Sequence, residues 1–113
     1  AAWREVVPYV YDWFAHEGLT WPPLSCRWGA PTDGRLFQHK QVVYYGEQTD
    51  GETSPNALVM AHVEVPKPRA TAADAMLLKH PVKRHKTVLH PGEVNRVREV
   101  PAHPHVVATH TDA

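Results

Sequence analysis

Histidine is the side chain with the widest chemical reach in this sequence, and nine occur among its 113 residues. His103 and His105 lie two apart, while His80, His85 and His90 recur every five residues. A zinc site asks for three or four converging ligands, usually with a Cys or carboxylate among them. In a strand His103 and His105 would share a face, but Pro104 and the adjoining turn work against that geometry. No metal site is expected. Nucleophilic catalysis has still less support. Ser25 and Cys26 lack a Gly-x-Ser-x-Gly elbow or other activating context, and no glycine-rich phosphate loop occurs. Cys26 is most simply a small core residue. The sequence predicts no catalytic residues, no cofactor and no enzyme.

Charge is the next source of chemistry. Twelve Lys and Arg balance twelve Asp and Glu, so bulk charge selects no partner. The distribution is uneven: Lys67, Arg69, Lys79, Lys83, Arg84 and Lys86 are offset within their stretch by Asp74 alone. Lys83, Arg84 and Lys86 could serve nuclear import or touch nucleic acid. Short basic runs are common on solvated loops, so direct nucleic-acid binding is not expected. A single cysteine cannot close an internal disulfide, which suits a reducing compartment such as the cytosol or nucleus. No run of about 18 apolar residues and no charged-then-apolar leader is present, so membrane insertion and secretion are unsupported.

These side chains need elements to hold them. Trp3, Val6, Val7, Val10, Trp13 and Phe14 recur at helical spacing, predicting a helix over 3–17 with a kink or restart at Pro8 and Gly18 just past its end. Tyr9 and Tyr11 fall off that stripe, so the helix needs a second surface and points to docking. Runs rich in β-forming residues predict strands over 24–28, 41–46, 57–65 and 86–89, making one four-stranded sheet. Turn chemistry separates them at Pro31-Thr32-Asp33-Gly34, Thr49-Asp50-Gly51 and Ser54-Pro55-Asn56. Residues 66–85 form an insertion, whose centre at 71–79 reads as a short helix capped by Thr71. Strands over 94–100 and 105–109 begin a second sheet.

The second sheet carries a repeat signature. His90, Val94, Val97, the Pro101 to Pro104 turn and Val106-Val107-Ala108-Thr109 resemble the front half of a WD repeat, whose Trp-Asp pair would follow Thr109 by about ten or more residues. In that pattern His90 orders its turn by hydrogen bonding. The expected fold is mainly β with an amino-terminal α-helix: a partial WD-repeat β-propeller of about one blade plus two strands of the next. The expected divisions are a docking helix over 1–19, three strands over 20–65, a basic insertion over 66–85, and a fourth strand with the start of the next repeat over 86–113. One blade and part of another cannot close a ring, so the sequence reads as an amino-terminal piece of a longer propeller.

Several motifs in order sharpen the resemblance. Pro8-Tyr9-Val10-Tyr11-Asp12, Leu19-Thr20-Trp21-Pro22-Pro23-Leu24, Trp28 and His90-Pro91-Gly92-Glu93-Val94-Asn95-Arg96 resemble the retinoblastoma-associated, histone-binding WD-repeat proteins of the MSI type. Leu24-Ser25-Cys26-Arg27-Trp28-Gly29, Glu47-Gln48-Thr49-Asp50-Gly51 and Val65-Pro66-Lys67-Pro68-Arg69 resemble the plant and algal FVE-type branch most closely. The resemblance implies a nuclear, non-catalytic scaffold subunit of deacetylase, Polycomb-like or chromatin-assembly complexes, with histones H3 and H4 as partners. It places Tyr9, Val10 and Trp13 on the groove for the first helix of histone H4, against the simpler reading that they pack on further blades. It places Glu93 and Asn95 at the site for the H3 tail, against the simpler reading that they cap a turn. Gln48 stands where many relatives carry His, which puts its share of the H3 site in question. A general WD-repeat adaptor, such as a ubiquitin-ligase substrate receptor, and an inactive truncated product are the alternatives.

Overall fold

The computed structural model describes residues 2–11, 13–32, 38–66 and 82–112. A helix, α1 (Ala2–Val10), leads into two antiparallel sheets. The first holds β1 (Cys26–Thr32), β2 (Gln38–Glu47), β3 (Ala57–Pro66) and β4 (Val82–Leu89), paired in sequence order; the second is the hairpin of β5 (Arg96–Val100) and β6 (His103–His110). Every connection is antiparallel between neighbours, the arrangement that short turns between alternating β-runs impose. The expected short helix at 71–79 lies outside the described residues.

Strand β3 shows why the sheet forms. Ala57, Val59, Ala61 and Val63 are buried, while Leu58, Met60 and His62 between them are half-buried, the period-2 alternation of a strand covered unequally on its two faces. On one face Val42 and Tyr44 meet Val94 and Val97 of the hairpin, with Leu58, Met60 and Val107 around them. On the other, Tyr45, Val59 and Ala61 pack with Val43 and Val82. Gly46 permits the approach of the two sheets: a Cβ placed there would lie 2.5 Å from Val94 Cβ. The seam is also stitched by polar groups. Val97 N–H donates to Ser25 Oγ (3.3 Å), and the Arg27 guanidinium clasps Glu99 through two hydrogen bonds of 2.7 and 2.9 Å. That clasp holds the Glu99 carboxyl down at about 2, its hydrogen bonds with Arg27 being the main cause.

Three expectations need correction. The helix ends at Val10 instead of running through residue 17. Its last backbone bond is Tyr11 N–H to Val7 O (2.9 Å), and Pro8 inside it removes a donor and disfavours continuation. A straight helix would separate Trp3 and Phe14 by about 16 Å along its axis, yet their ring centroids stand 5.7 Å apart because the chain folds back. Gly18 therefore caps nothing. Cys26 is exposed, not a core residue: it lies with Trp28 and Val43 beside an open concavity on the sheet face that the hairpin leaves bare. Strand β4 begins at Val82, ahead of the expected Lys86, so Lys83 and Arg84 belong to a strand and not to a loop.

Candidate binding surfaces

Helix α1 buries none of its residues. Its solvent-facing apolar groups include Trp3, Val6, Tyr9 (89% exposed) and Val10 (67% exposed). Beyond its end, Phe14 contacts both Trp3 and Tyr11 edge-on or tilted, with centroids 5.7 and 5.6 Å apart. Trp13 is half-buried and lies past the helix. Tyr9, Val10 and Trp13 thus do not share one continuous helix. Sequence reasoning on groove residues passed over Trp3, Tyr11 and Phe14; the signal was their aromatic density on both sides of the helix. A row of large apolar side chains held open to solvent is what an interaction surface looks like before its partner is bound.

The second surface is built by two turns. After β2, Gln48 N–H donates to Pro22 O (3.1 Å), which ties the Trp21-Pro22-Pro23 segment to the sheet. The following loop is fixed by Asp50, whose carboxylate accepts from the backbone N–H groups of Glu52 (3.1 Å), Thr53 (3.0 Å) and Ser54 (3.3 Å). The Thr53 hydroxyl also donates to Asp50 and, with those amides, holds its carboxyl below the usual range. Gly51 takes a positive φ of 74° to complete the turn.

The 90–95 turn is ordered by His90. Its Nδ1 lies 2.9 Å from Gly92 O and its Nε2 3.0 Å from Thr109 Oγ1. A carbonyl can only accept, so in the neutral ring Nδ1 carries the proton and Nε2 accepts from the threonine hydroxyl. Asn95 N–H donates to His110 O (2.9 Å), closing the turn onto β6. The result brings Gln48 and Glu93 together: the glutamine amide donates to the carboxylate across 3.2 Å. Glu93 is exposed and Asn95 half-buried on the same turn. This rim offers a carboxylate for a cationic side chain, with one of its oxygens already oriented by an amide.

The basic residues divide. Arg84 pairs with Glu47 of β2, whereas Lys83 and Lys86 are exposed on β4. His103 and His105 do stand together on β6, with ring centroids 6.2 Å apart, so Pro104 does not spoil their pairing as expected. Among the described residues, no three His, Cys, Asp or Glu side chains group as a metal site would require. No helix there is long and apolar enough to cross a membrane.

Residues 1–67 match the family model of the histone-binding protein RBBP4, a component of the CAF1 complex. The chain belongs to that family. It is similar to the WD-40 repeat-containing protein MSI4 of Arabidopsis thaliana, with 48% identity over 98% of this chain and 23% of that protein. It is also similar to histone acetyltransferase type B subunit 2 of Neurospora crassa (28% identity, 95% of this chain, 28% of the relative) and of Kluyveromyces lactis (29%, 95% and 30%). The chain therefore spans about a quarter of the length of these curated relatives. The fold class is mainly β with an amino-terminal helix, part of a WD-repeat β-propeller, in which β1–β4 make one blade and β5–β6 begin the next.

Proposed function

We propose that the chain forms part of a non-catalytic histone-binding scaffold that works in the nucleus within chromatin-modifying or chromatin-assembly complexes. The observation that carries this reading is the apolar surface of α1, which the chain's own sheets leave unburied inside the region that matches the family. An amphipathic helix of histone H4 would lay its apolar face on Tyr9 and Val10, with Trp13 at the margin, in the helix-in-groove mode. The rim of Glu93, Asn95 and Gln48 would take the basic H3 tail, the carboxylate pairing with Arg or Lys and the amides pinning peptide backbone. The paired placement of Gln48 and Glu93 supports keeping Gln48 in that site. Higher identity to the Arabidopsis relative than to the fungal ones favours the plant FVE-type branch. Lys83 and Lys86 would be available to an import receptor, whereas Arg84 is engaged by Glu47.

The test is binding of an H4 helix peptide and an H3 tail peptide, measured on this chain and on a longer natural product that contains it. Tyr9→Ala is expected to weaken H4 binding by at least about fivefold while leaving H3 binding unchanged. Equal H4 affinity in the Tyr9→Ala and wild-type proteins would remove α1 from the groove.

A further inference from the structure

Strand β4 carries a β-bulge, and the bulge redistributes its charges. Met60 pairs with Lys86 and Ala61 with Arg84, which leaves His85 as the extra residue between them. In a regular strand Lys83 and His85 would face one way and Arg84 and Lys86 the other. Here Lys83 stands opposite His62, and Lys86 opposite Met60. His85 stacks on His62 with ring centroids 4.2 Å apart and planes at 19°. Lys83, His85 and Lys86 are thereby gathered on the His62 face, while Arg84 alone turns to the opposite face and meets Glu47. Lys40 of β2 borders the same face and stands opposite Glu64 of β3 in register. With those two offsetting each other, the surplus over three adjoining strands is wholly basic or imidazole.

This patch lies along an edge. Among the described residues β4 pairs only with β3, so its outer N–H and C=O groups form the margin of the sheet. Lysines and a bulge at an edge discourage indiscriminate strand pairing, and a second copy of β4 would set like charges opposite each other. An acidic strand meets neither obstacle. We propose that the β3–β4 face and the β4 edge dock an extended acidic protein segment, whose alternate carboxylates meet Lys83, Lys86 and the His62–His85 pair. A polynucleotide offers complementary charge but no strand to join the edge, which favours the protein segment. This surface is separate from both proposed histone sites and does not depend on them.

Acidification should strengthen the interaction. Burial, then Lys40 and His85, hold the His62 imidazolium below its ordinary range, so His62 adds charge only as pH falls beneath the usual histidine value. The groups facing it are Lys40 from β2, Glu64 on its own strand, and Lys83, His85 and Lys86 from β4.

The experiment is fluorescence anisotropy of the full chain with a labelled peptide of alternating Glu and Thr, about twelve residues long, beside an oligothymidylate of equal net charge. The peptide is expected to bind more tightly than the oligonucleotide. K83E/K86E should weaken it by about tenfold or more with an unchanged circular dichroism spectrum, and K83Q/K86Q, used if the reversal does not fold, by about threefold. Affinity should rise several-fold on going from neutral to about pH 5.5, and His62→Gln should flatten that rise. Undetectable peptide binding by the folded wild type, or equal affinity in folded Lys variants, would overturn the proposal. Tighter binding of the oligonucleotide would replace the acidic segment with nucleic acid.

Discussion

The seam between the sheet and the hairpin, and the helix that precedes them, are built from similar side chains and end in opposite states. At the seam, Val94 and Val97 are 1% and 0% exposed. On the helix, Val10 is 67% exposed. Both segments carry periodic apolar residues, so hydrophobicity does not separate them. The difference is whether a complementary face lies within reach. The hairpin has Val42 and Tyr44 opposite it and Gly46 to let it close, whereas α1 has no surface of the chain against it. Apolar pattern satisfied within the chain builds scaffold; the same pattern left open builds interface.

The sharpest way to break that comparison is to charge the seam. Val97→Asp places an unpaired carboxylate where no solvent reaches, and is expected to cost about 3–5 kcal/mol or more, seen as loss of cooperative unfolding in urea. Gly46→Ala should follow at about 1–3 kcal/mol, because the new Cβ meets the branch carbon of Val94 and not a flexible side-chain end. A wild-type unfolding midpoint in either variant would mean that the sheet and hairpin do not close as described. By contrast, the Tyr9→Ala change that tests histone binding should alter stability by no more than about 0.5 kcal/mol.

The polar clasp gives the smallest and most specific effect. Glu99 is held at about 2 against an ordinary value of 4.5, so its contribution to folding is present above about 4.5 and is lost as pH falls through about 2. An NMR titration should show the Glu99 carboxyl still ionised at about pH 3. Arg27→Met should return its midpoint toward 4.5 and remove that part of the acid sensitivity. A Glu99 midpoint unmoved by the substitution would detach β1 from β5 at this point.

Much of the chain was legible in its residues alone. The six strands follow alternation and turn residues that are local properties, and the His90 turn was readable because its hydrogen-bonding partners lie at fixed offsets in a repeat. The errors are equally local in origin. Helical spacing continues past Pro8 through Trp13 and Phe14, but with no opposing surface a helix holding a proline stops after its first turns. Cys26 has apolar neighbours along the chain and still faces outward, because burial depends on what crosses the sheet.

By itself the sequence determined the element types, their antiparallel order and the family to which they belong, since each is written in short-range pattern and motif. Only the tertiary structure decided which faces were covered, that Gln48 would meet Glu93 across 45 residues, and that Arg27 would meet Glu99 across 72. It also decided, through one extra residue in β4, that Lys83 and Lys86 share a face while Arg84 does not. Those outcomes depend on strand register and sheet packing, where contacts are chosen by distant partners and not by neighbours in the chain.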